Sequence, residues 1–199
     1  MRSLRGLCYD QLGEFELARQ DYLLVLADTP DDVDTLINLG TLEIADGDIR
    51  AADGHLRRAF ALDEIVSWQY AEVEWTRGNI VEARRLLEIA LALGEPRADL
   101  DLALLDAADG RESDADPRFR RAIDTGATLC RREYATFLLL HDRVADALAV
   151  SGDGVRAGDG WSYAPHTIAL ERSGRLGEAE RYRARAVDAD DENYLDEGP

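Results

Sequence analysis

One short pattern returns six times along the chain: a glycine or other turn former, an apolar residue two positions on, and an alanine five positions on. It reads Gly13-Phe15-Ala18, Gly47-Ile49-Ala52, Gly78-Ile80-Ala83, Gly110-Glu112-Ala115, Asp142-Val144-Ala147 and Gly174-Leu176-Ala179. The steps between turn positions are 34 (13 to 47), 31 (47 to 78) and 32 three times (78 to 110, 110 to 142, 142 to 174). A period of this size marks a repeat architecture, in which each supersecondary unit buries its apolar face only against its neighbours.

Two further series keep the same register. Seven positions before each turn lie Gly6, Gly40, Ala71, Ala103, Ala135 and, less well matched, Thr167. Four and seven positions after each alanine lie Tyr22 and Val25, Leu56 and Ala59, Leu87 and Ala90, Phe119 and Ala122, Ser151 and Gly154, and Arg183 and Ala186. Such offsets collect residues on one face of a helix. Each repeat therefore reads as a hairpin of two helices that approach closely at the small residues. The turn between them needs a left-handed backbone, which glycine adopts without steric cost.

These residues resemble the tetratricopeptide repeat, and the first copy matches it best, with Gly6, Tyr9, Gly13, Ala18, Tyr22 and Pro30 each in register. The resemblance covers essentially the whole chain. It implies an all-α, right-handed α-solenoid of about six helix-turn-helix repeats, approximately 1–32, 33–63, 64–95, 96–127, 128–159 and 160–187, followed by an acidic tail over 188–199. Two copies depart from the pattern. In the fourth, Glu112 stands where an apolar residue is expected, and Pro117 predicts that the second helix starts late, with Asp116 as its N-cap and the proline in its first turn. In the fifth, Asp142 replaces the turn glycine, and Ser151, Gly152, Gly154 and then Gly158 and Gly160 predict a second helix that is either short or weak.

Composition narrows the function. The net charge of -18 repels phosphate backbones and anionic lipid surfaces, which argues against nucleic-acid and membrane partners and favours a basic one. Every basic side chain is arginine. No apolar run approaches the roughly 20 residues a bilayer span needs, and no signal segment opens the chain, so the expected location is cytoplasmic. Cys8 and Cys130 stand far apart, outside any metal or disulfide spacing. The acidic clusters, Asp31, Asp32 and Asp34, Asp46 and Asp48, Asp114 and Asp116, and Asp188, Asp190 and Asp191, do not follow calcium-loop order. Most of them sit where helices start and turn, so capping explains them. His55, His141 and His166 form no metal-ligand pair, and no phosphate-binding glycine loop or nucleophile elbow is present. No cofactor, metal or catalytic residue is expected, and the chain reads as a non-enzyme.

The tetratricopeptide resemblance implies that the first helices line a concave groove holding a partner polypeptide. The matching positions place Ile37, Thr41, Ile44, Trp68, Glu72, Trp75, Leu100, Leu104 and Arg132 in it. Trp68 and Trp75 are seven residues apart and share a face; they read either as anchors for a partner's apolar side chains or as core between repeats. Glu43, Glu74 and Asp106 occupy the same register in three successive copies, and read either as a carboxylate stripe that selects a basic ligand or as a solvated face. The family's grip on a ligand's terminal carboxylate is not matched, since Arg132 and Arg172 stand isolated. The expected ligand is a protein or peptide segment, apolar with basic flanks, and the role an adaptor or regulatory subunit. Alternatives are a sensor or effector part of a larger regulator and, less favoured, an acidic enzyme subunit. An uncapped first helix also allows a homodimer.

Overall fold

The computed structural model describes residues 2–127, 129–183 and 185–186. The tail over 188–199, with the acids predicted to close the chain, lies outside them. The described residues are helical and contain no strand. They form two compact units, Met1–Leu105 and Asp106–Pro199. The first holds α1 (Arg2–Gln11), α2 (Phe15–Asp28), α3 (Val33–Ala45), α4 (Ile49–Leu62), a 3-10 turn (Glu64–Val66), α5 (Ser67–Thr76), α6 (Ile80–Ala92) and the start of α7 (Ala98–Ala108). The second holds the end of α7, α8 (Glu112–Asp124), α9 (Cys130–Leu140), α10 (Val144–Ala157), a 3-10 turn (Gly160–Ser162) and α11 (Tyr163–Arg172). A last helix, α12, covers residues 176–183.

The turns obey one rule. Gly13, Gly47, Gly78, Gly110 and Gly174 have φ between 71° and 80°, and Asp142, the substitute in the fifth copy, has φ 58°. At every turn the amide one residue further on donates to a carbonyl five residues back. The pairs are Glu14 to Tyr9, Asp48 to Glu43, Asn79 to Glu74, Arg111 to Asp106, Arg143 to Leu138 and Arg175 to Leu170, all at 2.8 to 2.9 Å. This bond satisfies carbonyls that a helix end otherwise leaves free. A second glycine series that the repeat pattern did not single out, Gly94, Gly126 and Gly158, also has positive φ and closes the second helices α6, α8 and α10.

The alanine of each repeat is fully buried in all six copies, Ala18, Ala52, Ala83, Ala115, Ala147 and Ala179. The small residues of the first helices sit where the hairpin is tightest. A Cβ on Gly6 would lie 2.7 Å from Tyr22 Cε1, and one on Gly40 would lie 2.5 Å from Leu56 Cγ. Leu56, Val73, Leu86, Leu87, Leu102 and Leu105 form the main core of the first unit. In the second, the rings of Phe119 and Tyr134 stack with centroids 5.1 Å apart, and Phe137 joins them at 5.2 Å from Phe119.

Two expectations are corrected. α8 does not start at Asp116: it begins at Glu112, and Pro117 lies inside it. The Arg111 carbonyl accepts from the amides of Asp114 and Ala115 and sets the start, while Ala115, Phe119 and Ala122 keep the buried register. Packing in the repeat register outweighs the amide that proline lacks. Asp116 instead accepts from the Tyr134 hydroxyl at 2.8 Å and from Arg143 at 2.7 Å. Nor is α10 short, since it runs 14 residues, as long as α2 and α4. Its glycines serve close approach. A Cβ on Gly154 would run into Ser162 Oγ and lie 2.6 Å from Ser162 Cβ.

Aspartates cap helices as expected. Asp32 accepts from the Thr35 amide at 2.9 Å, and Asp48 from the Ala51 amide at 3.1 Å. Asp63 and Asp159 cap the two 3-10 turns in the same way.

Candidate functional site

A groove of about 660 Å³ opens in the first unit between α5, α6 and α7. α5 contributes Trp68, Ala71, Glu72, Trp75 and Thr76, α6 contributes Leu87, and α7 contributes Asp101 and Leu104. Arg97 enters from the loop before α7. That loop follows from local chemistry. Gly94 ends α6 with φ 87°, the Glu95 amide closes onto the Ala90 carbonyl at 2.9 Å, and the Arg97 carbonyl accepts from the Asp101 amide at 3.1 Å to start α7.

Trp68 and Trp75 are both half-buried, packed on the core and lining the groove. The Trp68 indole donates from Nε1 to Asp101 Oδ2 at 2.6 Å, and the Arg97 guanidinium lies over its ring, 5.5 Å from the centroid. Burial raises the pKa of Asp101, against the hydrogen bond from Trp68 and the charge of Arg97. Glu72 is accessible from the groove, yet crowding by the walls and then the Asp101 carboxylate raise its pKa as well.

The other predicted groove residues scatter. Leu104 lines the groove, but Leu100, one turn earlier, is buried in the core. Ile44 packs half-buried against the core, and Thr41 is exposed on α3. Ile37 borders a separate cleft of about 430 Å³ with Ser3, Leu4, Leu7, Asp34 and Asn38. Arg132 belongs to the second unit, where its guanidinium lies 5.1 Å from the centroid of Trp161. Arg172 is spent on the Leu139 carbonyl at 2.6 Å.

Glu43, Glu74 and Asp106 form neither a ligand-selecting stripe nor a solvated face. They are 3%, 4% and 1% exposed. His55 Nδ1 lies 2.8 Å from Glu43, with Arg19 at 3.7 Å. Arg77 donates to Glu74 at 2.9 Å, and Asn79 Nδ2 donates to its other oxygen. Asp106 accepts from Arg111 at 2.6 Å and Arg118 at 2.9 Å. A buried carboxylate is tolerated only when its charge is met, and here the partners come from the turn, from the second helix twelve residues on or, for Arg19, from α2 of the preceding hairpin.

Arg97 and Asp101 escaped the sequence reading. The signal was there in principle: Trp68 meets Asp101 across 33 residues, about one repeat, so facing positions in successive first helices carry the pairing. Ser151 Oγ lies 3.0 Å from His166 Nδ1, but the same hydroxyl donates to the Ala147 carbonyl at 2.6 Å, which leaves the imidazole as donor rather than base. Among the described residues, no group of three or more His, Cys, Asp or Glu is placed to hold a metal ion, and no helix is long and apolar enough to cross a membrane.

No protein-family model matches the sequence, and no curated protein matches it. Solved structures do. The hairpins, their glycine turns and their buried alanines define a helical-repeat protein, and the structures similar to it make that fold specific. PilW, a type IV pilus biogenesis factor, superposes with a TM-score of 0.80 at 15% identity over 92% of this chain and 90% of its own. PilF of Pseudomonas aeruginosa gives 0.72 at 18% identity over 100% and 91%. YrrB, described as a tetratricopeptide-repeat protein with an unusual peptide-binding site, gives 0.57 at 16% identity over 84% and 91%. The chain has the tetratricopeptide-repeat fold.

Proposed function

We propose that the chain is a non-catalytic interaction module, an adaptor or regulatory subunit, which holds a segment of a partner polypeptide in the groove between α5 and α7. The observation that carries this reading is the groove itself, with two tryptophans, Leu87, Leu104 and the carboxylates of Glu72 and Asp101 in one concavity. Tryptophan is enriched among residues that dominate binding energy, because a large rigid ring gains contact area with little entropy lost. Apolar anchors beside carboxylates suit a segment that is apolar with basic flanks, and the net charge of -18 steers such a segment from a distance. The peptide-binding site reported for YrrB supports the use of this fold to hold a peptide. The two cysteines, exposed Cys8 and buried Cys130, are free thiols, which accords with a reducing cytoplasm. Self-association, in this reading, uses Leu4 and Leu7 of α1, which are exposed beside the smaller cleft.

Selection from a random peptide library tests the groove. Enriched peptides should weaken about tenfold against Thr76→Trp, which fills the groove from its exposed rim without opening the core. Peptides indifferent to Thr76→Trp, or no enrichment at all, would remove the proposal.

A further inference from the structure

We propose that the groove contains a cation subsite, in which the face of Trp68 and the carboxylates of Glu72 and Asp101 receive an arginine or lysine side chain of the bound segment. Arg97 of the same chain is its resident guanidinium until that side chain arrives. The inference rests on the groove being a polypeptide site.

The geometry separates Arg97 from a settled structural pair. Its guanidinium sits 5.5 Å from the Trp68 centroid, within the range of cation–π attraction. Its contact with Asp101 is loose, Nε to Oδ1 at 3.8 Å, and Nε is shielded from solvent with no acceptor. The side chain as a whole remains 44% exposed. By contrast, Asp101 holds Trp68 firmly by the edge, through Nε1, so the indole presents its face to whatever cation lies above it.

Charge then decides the ligand. Two carboxylates and one guanidinium leave the groove negative, and Glu95 adds its field to Asp101. Burial, and behind it the field of a neighbouring carboxylate, Asp101 at Glu72 and Glu95 at Asp101, raises the pKa of both groups. A ligand carboxylate would face both acids with only Arg97 to hold it. A ligand cation would relieve their repulsion and take over the Trp68 face. Glu43, Glu74 and Asp106 do not compete for it, because each is buried and clasped by its own partners.

The test follows the Trp68 and Trp75 indole N–H signals of the full, nitrogen-15-labelled chain during titration with acetyl-Leu-Arg-Leu-amide and with the same peptide carrying neutral citrulline for arginine. The arginine peptide is expected to bind about tenfold tighter. Glu72→Gln combined with Asp101→Asn, which keeps an acceptor for Trp68, should erase that preference. Arg97→Gln should tighten the arginine peptide several-fold by vacating the subsite. Equal binding of the two peptides, with the indole signals shifting, overturns the cation subsite and leaves the groove reading standing. Weaker arginine binding in Arg97→Gln overturns the resident role. Indole signals unmoved by either peptide defeat the subsite and the groove together.

Discussion

The second helices of the third and fifth hairpins, α6 and α10, occupy the same place in the repeat and are built by opposite means. α6 is made of strong helix formers and buries Ala83, Leu86, Leu87 and Ala90. α10 buries Ala147, Ser151 and Gly154 at the positions of Ala83, Leu87 and Ala90, and Gly152 besides. Glycine in a helix interior costs about 0.8–1 kcal/mol relative to alanine, so α10 begins with an intrinsic deficit that α6 does not have. What it receives in return is proximity: Ser162 packs where a Gly154 side chain would be, and Asp159 caps the next turn while accepting from the Ser162 hydroxyl at 2.8 Å. The contrast teaches that one repeat position can be stabilised by side-chain volume or by its absence.

The largest effect should come from removing volume where the repeat relies on it. Leu86→Ala empties a fully buried site and should cost about 2–5 kcal/mol of unfolding free energy in denaturant titrations. A cost below that of an exposed leucine such as Leu62→Ala would break the comparison from the α6 side.

Adding volume where the repeat relies on its absence should come next. Gly154→Ala should destabilise by about 1–3 kcal/mol despite its better helix propensity, because the new methyl group collides with Ser162. Gly54→Ala is the control, an α4 glycine with nothing within 4 Å of an added Cβ, and should stabilise by about 0.5–1 kcal/mol. If both changes stabilise, Gly154 is a propensity defect and not a packing device.

Hydrogen exchange sharpens the same contrast at amide resolution. Amides in the middle of α10 should exchange faster than those of α6, since local opening there gives up less buried apolar surface. Equal protection would mean that the close packing of Gly154 fully offsets its intrinsic cost.

A smaller effect is set by pH. His166 lies against α10 beside Ser151, and burial, followed by the charges of Arg175 and Arg156, lowers its pKa below the ordinary 6.5. The folded state thus prefers the neutral ring, and the unfolded chain takes up the proton first as the pH falls. Stability should decline as the pH drops from about 6.5 toward the lower folded value, then level off. The difference between wild type and His166→Gln, followed by thermal unfolding across this range, isolates the contribution. An unchanged difference at every pH would show that His166 titrates alike in both states.

How far the candidate site could be read from the sequence differs residue by residue. Trp68, Glu72, Trp75 and Leu104 were legible through the resemblance, which assigns their register positions in the first helices to a groove, and they do line one. Leu100 was not separable from Leu104 on that basis: the two differ by one helical turn, and the boundary between core and groove falls between them. Arg97 was invisible to the repeat because it lies in a loop, outside the helical period, and reaches the groove only through the geometry of Gly94 and the start of α7.

By itself, the sequence determined what depends on neighbours a few residues away: the six left-handed turns, five of them at glycine and one at Asp142, and the helical stretches on either side. Local backbone sterics favour these conformations. The tertiary structure alone decided where α8 starts, because burial of Ala115 and Phe119 outweighed the preference of Pro117 for a first turn. It alone decided the fate of the carboxylates on the first helices, burying Glu43, Glu74 and Asp106 against partners while leaving Glu72 and Asp101, at other register positions, in a groove with one loosely held cation. The physical reason is that the energy of a charge depends on the water removed from it and the opposite charges brought near it, and both quantities are fixed by residues distant in the chain.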